Sequence, residues 1–213
     1  MKKLILSILF IACCFLTAFT QSYPTKALKK TFSEVQLRDI EIIAKYMDSL
    51  VLYHHPKLDK STAYHTFFDS LRINFLETDS VDGQLAINEL IKYDFLNSLD
   101  TSTFHTIWID DSPLMVRTRD TIIKNPPNYH SLDINNQGKV MNYLKRLGEK
   151  SRYFKSVHET IEMSGSIGPS LFAGMFYKHD YLDFNNIDDR FWAAIFYLTI
   201  EESIEQKINR YYK

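Results

Sequence analysis

The sequence predicts a mainly α fold: a single-domain helical bundle of about six to seven helices, with an irregular or short β-hairpin segment near 103–133. Three observations carry this. Apolar residues recur at helical spacing through most of the chain. Only six glycines and six prolines punctuate it, and no linker, repeat or low-complexity tract divides it. The stretch from Phe191 to Ile200 is apolar on every face, as expected of a helix at the centre of a bundle.

The N-terminus comes first. Lys2 and Lys3 precede an apolar run from Leu4 to Phe19, with small residues at Ala18 and Thr20, which is the order of a secretory signal. Residues 1–20 therefore read as a signal peptide. The run falls short of the ~20 apolar residues a spanning helix needs. An alternative processing site precedes Cys13, where Ala12 would allow a lipid anchor, although the residues that follow stay apolar. Residues 21–30 read as a leader and 31–213 as one helical domain.

Helix 1 opens with Thr31 and Glu34 at capping-box spacing and carries Leu37, Ile40, Ile43, Met47 and Leu50 on one stripe until Pro56 closes it. A second helix, Ser61 to Glu77, turns Tyr64, Phe67, Phe68 and Leu71 inward, and a third spans Ser80 to Leu99. From Thr103 to Asp133 the β-branched residues weaken the helical pattern, so this region reads as irregular or as a short hairpin. Helices return at Asn136 to Leu147, ended by Gly148, at Lys150 to Met163, ended by Gly165, and after Pro169. The last runs from Asp188 to the C-terminal tyrosines.

Composition excludes several function classes. Hydrophobic residues make up 45% and aromatics 14%, enough for a packed core. The formal net charge is −1, and removing a signal that contains two lysines and no acid shifts it further negative. No field of that size implies a nucleic-acid partner. Cys13 and Cys14 are the only cysteines, so a chain cleaved after residue 20 has neither disulfide nor thiolate chemistry. Charge is unevenly placed: basic residues dominate Arg117 to Lys155 and acids dominate Val157 to Glu205. Within the basic stretch Arg117, Arg119, Lys145, Arg146 and Arg152, with Tyr143, Tyr153 and Phe154 nearby, are the candidate binding residues for an anionic envelope polymer or lipid headgroup; the competing reading is a solvated face matched within the domain.

Catalytic patterns fail at required positions. Residues 53–66, "YHHPKLDKSTAYHT", place His55, Asp59 and His65 where an antiparallel hairpin can bring them together, and these are the candidate ligands for zinc. Their spacing matches no tight zinc signature, and His54 and His55 point about 100° apart on a helix. A histidine at a helix end also has an ordinary role against the last carbonyls. His158 and Glu159 are the second candidates for catalysis, but Glu162 stands where a zincin helix requires its second histidine. The pairs Glu159/Glu162 and Glu201/Glu205 lack the Glu-x-x-His order of di-metal bundles. "SGSIGPSLFAG" has neither the glycine of a nucleophile elbow nor the lysine of a phosphate loop.

The expectation is an exported, non-catalytic helical protein of the bacterial cell envelope or periplasm, without cofactor, that binds a protein, lipid or polymer partner. The alternative is a metal-dependent hydrolase using the His/Asp constellation around His55–His65.

Overall fold

A computed structural model describes residues 24–78, 87–111, 113–118, 120–126 and 129–212. The fold is mainly α, with a small β component in two antiparallel pairs. Its helices are α1 (Lys26–Thr31), α2 (Glu34–His54), α3 (Lys60–Thr78), α4 (Glu89–Asn97), α5 (Thr101–Ile107), α6 (Lys139–Gly148), α7 (Arg152–Ser164), α8 (Pro169–Lys178), α9 (Ile187–Thr199) and α10 (Ile204–Tyr212). A 3-10 turn, His179–Tyr181, joins α8 to the approach of α9. The signal and anchor expectations, Arg119, and positions 80–86 of the helix expected over Ser80 to Leu99 lie outside the described residues; the described remainder of that helix is α4, which Asn88 caps.

Helix α9 is the centre of the core, as its all-round apolarity predicts. Every residue from Ile187 to Thr199 is buried. It packs along α2, whose Ile40, Ile43, Met47 and Val51 are fully covered. Burying each such side chain stabilises by roughly 1.5–3 kcal/mol. Aromatic edges fill the remaining space: Phe196 meets Phe172, Phe176 and Trp192 with ring centroids 5.1, 5.8 and 6.5 Å away. The Trp192 indole N–H donates to Tyr153 Oη at 3.0 Å, so the buried polar edge of the ring is satisfied.

The structure has more helices than the sequence pattern predicts, and local capping chemistry explains the difference. Residues assigned to a leader form α1, capped by Thr25, with Leu28 fully buried and the helix packed on α6. The capping box of α2 is Ser33 with Gln36, not Thr31 with Glu34. At the C-terminus Ser203 and Gln206 form another such box, with Ser203 N–H donating to Gln206 Oε1 at 2.8 Å and Gln206 N–H donating back at 3.2 Å. This box divides the expected final helix into α9 and α10. Elsewhere the punctuation is as read: Gly165 ends α7 at φ 80°, a left-handed conformation that favours glycine, and Pro169 opens α8.

The segment read as irregular or a hairpin begins as α5 and then supplies four short strands. Strand β1 (Trp108–Asp111) pairs with β4 (Ser131–Ile134), and β2 (Met115–Arg117) with β3 (Ile122–Lys124). Leu132 and Ile134 of β4 alternate into the core against α9. The other anchor of this sheet is ionic. Lys207 lies 3.0 Å from both Glu89 and Glu201 and donates to the His130 carbonyl at 2.7 Å, while Glu201 accepts the Leu132 amide. Lys92, fully buried, donates to the Ile200 carbonyl at 3.1 Å. Among the described residues, no helix is long and apolar enough to cross a membrane.

Candidate functional site

Two arrangements of chemistry-bearing side chains stand out, and the turn His179–Tyr181 touches both. The first is a cavity of about 510 Å³ where the start of α1, the α6–α7 junction and the start of α9 meet. Its polar floor is made by Asp188 and Asp189, both buried in the first turn of α9. They sit there because Asn186 caps that helix, its Oδ1 accepting the Asp188 amide at 3.1 Å, and because acids complement a helix N-terminus. Asp188 Oδ1 accepts from Tyr143 Oη at 2.7 Å and from Thr25 Oγ1 at 2.8 Å; Asp189 Oδ2 accepts the Asp183 amide at 2.7 Å.

Burial raises the carboxyl pKa of Asp188 against the pull of those two hydroxyls. Asp189 is pushed up to about 6, first by burial and then by the charges of Asp188 and Asp183. The floor is therefore committed to internal hydrogen bonds and gives up part of its charge in mild acid.

The walls carry four cations together with two exposed acids, Glu149 and Asp183. Lys26 and Lys30 of α1, Arg146 of α6 and Lys150 of the α6–α7 junction line the cavity and are exposed. Among the described residues, none of the four has a carboxylate within 4 Å, so no ion pair inside the fold neutralises them. Ser151 caps α7 beside them, so the positive end of that helix faces the same space. Phe154 contributes an apolar edge. This arrangement can hold an anionic group against cations while its remainder lies on carbon. A neighbouring cavity of about 350 Å³, lined by Arg152, Tyr153, Lys178 and Tyr181, shares Tyr181 with the first.

The second arrangement is a histidine pair. His65 Nδ1 lies 3.0 Å from His179 Nδ1, and Asp180 Oδ1 lies 3.9 Å from the former and 3.7 Å from the latter. His179 is buried and packs against Phe68, while His65 is half-buried with its edge on Phe184. Burial and then the neighbouring His179 lower the pKa of His65, so its neutral form is favoured. Behind the pair, His179 Nε2 lies 3.4 Å from Asp69 Oδ1, which Arg72 Nη2 holds at 2.8 Å. Among the described residues, His65, His179 and Asp180 are the one group of three metal-ligating side chains that converges, with their ligand atoms within 4.8 Å of one another.

The sequence-nominated residues distribute as follows. His65 is in this cluster, but His55 and Asp59 are outside it. His55 caps α2, donating its backbone N–H to Val51, and its Nε2 is buried without a hydrogen-bond partner among the described residues. Asp59 is exposed and caps α3 by accepting the Thr62 amide at 3.1 Å; the Thr62 hydroxyl first, and then this amide, lower its pKa. His158 lies 3.9 Å from Glu162 rather than Glu159, which instead faces Lys155 at 3.8 Å. Arg146 and Arg152 line the two cavities; Lys145 is exposed on α6, and Arg117 is exposed on the β2–β3 hairpin. Glu201 is not helical and serves β4 and Lys207. The sequence reading missed His179, Asp180, Lys26, Lys30 and Lys150, which join their sites only through tertiary packing. No protein-family model, curated protein or solved structure matches this chain.

Proposed function

We propose that this chain is an exported protein of the bacterial cell envelope that acts by binding, not catalysis, and that its ligand is an anionic headgroup or polymer seated in the cavity between α1, α6–α7 and α9. The observation that carries this is the set of four cations, Lys26, Lys30, Arg146 and Lys150, directed at one cavity without carboxylate partners among the described residues. The committed hydrogen bonds of Asp188 leave those wall charges for a ligand. The signal-like order of residues 1–20 supports the exported part of this reading.

The test is sedimentation of the protein with vesicles of phosphatidylglycerol, compared with phosphatidylcholine vesicles and with a soluble polyanion as competitor. Binding to the anionic vesicles that weakens with salt and falls at least tenfold in Lys26→Glu/Arg146→Glu supports the proposal. Equal binding to neutral vesicles, or no effect of charge reversal, overturns it. A second reading, metal-assisted hydrolysis, retains only His65 of its nominated ligands, since His55 and Asp59 do not join it.

A further inference from the structure

We propose that His65, His179 and Asp180 form a zinc site. The three ligand atoms stand 3.0, 3.7 and 3.9 Å apart, and the point equidistant from them lies about 2.1 Å from each, the length of a zinc–imidazole or zinc–carboxylate bond. Two imidazoles and one carboxylate are a donor set suited to zinc, whereas calcium and magnesium prefer oxygen alone.

The surroundings of His179 are arranged as a metal requires. A ligating histidine needs its coordinating nitrogen unprotonated, which is fixed by giving the other nitrogen an acceptor for its proton. His179 Nε2 has that acceptor in Asp69 Oδ1 at 3.4 Å, and Asp69 is itself positioned by Arg72 at 2.8 Å. The lone pair of His179 Nδ1 is thereby left facing His65 and Asp180. Asp69 lies one helical turn beyond His65 on α3, so a single helix face supplies both a ligand and the supporting carboxylate. His179 is 3% exposed, whereas the Asp180 side chain is 86% exposed, so one ligand is held rigidly while another opens the site to solvent.

A purely structural histidine pair accounts for the 3.0 Å contact. It does not account for a third donor on the same point, nor for the carboxylate behind His179. Zinc would also tie α3 to the turn that carries Tyr181 into both cavities. This proposal is independent of the anionic-ligand reading, because none of the cavity cations takes part.

The experiment is a zinc titration of the tag-free, metal-stripped protein by calorimetry, with cobalt as a spectroscopic substitute. Expected are one equivalent of zinc per chain, cobalt absorption bands typical of low-coordinate nitrogen and oxygen ligation, and no competition from excess calcium or magnesium. His65→Ala and Asp180→Asn should each weaken zinc at least tenfold, and Asp69→Asn, which contacts no metal, about 10- to 100-fold. His158→Ala should retain wild-type affinity. His179 is buried, so His65 and the exposed Asp180 carry the test if His179→Ala fails to fold. Absence of stoichiometric zinc, or wild-type affinity in both His65→Ala and Asp180→Asn, overturns the proposal.

Discussion

Arg190 Nη1 lies 2.7 Å from Asp48 Oδ2, joining α9 to α2 across 142 residues of sequence. Both side chains are largely buried, and Asp48 also accepts from Tyr64 Oη at 2.8 Å and Lys60 Nζ at 2.7 Å. One carboxylate thus registers three helices around the core. Its worth lies less in the attraction itself than in the cost of leaving a buried guanidinium facing a neutral group. Asp48→Asn keeps the shape and removes the charge. It is expected to cost about 3–5 kcal/mol, the range for breaking a buried pair. Urea melts read the loss, and the same substitution in an Arg190→Gln background should cost far less; equal costs in both backgrounds would remove this account.

Asp189 gives the fold a pH dependence of unusual sign for a carboxylate. Its pKa is raised to about 6 in the folded chain, from an ordinary value of 3.8, and that of Asp188 is raised as well. The folded state therefore holds these protons more tightly than the unfolded state. Their favourable contribution is complete below the unfolded pKa and is lost as pH rises through the folded one. Between about pH 4 and pH 6, stability should fall on this account. Asp189→Asn keeps an oxygen for the Asp183 amide and removes the charge. The variant should be more stable than wild type at pH 7 and lose that advantage near pH 4; thermal melts across the range check it.

Trp192 marks what was legible in the sequence. The all-apolar run around it leaves no face for water, so its place at the core follows from composition alone, and the ring is 1% exposed. Trp192→Ala should cost about 3–5 kcal/mol, read by chemical denaturation. The division at Ile200 was encoded equally locally, in Ser203 and Gln206, but the apolar and amphipathic stretches on either side form one continuous helical pattern that conceals it. The candidate sites were hidden for a different reason. His65 and His179 are 114 residues apart and no motif links them, and Lys26 and Arg146 share a cavity only because α1 packs on α6. Periodicity reports which face of a helix is buried, not which helix it will meet.

Lys207 supplies the strictest test of the C-terminal packing. Its ammonium is buried among Glu89, Glu201 and the His130 carbonyl. Burial alone would lower its pKa, but the two glutamates together outweigh burial and raise it, so the residue stays charged. A lysine with a raised folded pKa contributes stability that is complete below its unfolded value and lost as pH climbs through the folded one. At pH 7 that contribution is whole. Lys207→Met preserves the length of the chain and leaves Glu89, 1% exposed, with Lys92 at 3.7 Å as its nearest cation among the described residues. The expected cost at pH 7 is about 3–5 kcal/mol. The gap to wild type should narrow above the lysine range, and Glu89→Gln in the same chain should recover part of the loss by removing the stranded charge. Hydrogen exchange should show the β4 amides, Leu132 among them, losing protection with α10. If Lys207→Met melts as wild type does, the buried lysine is not what fastens the last helix to the sheet.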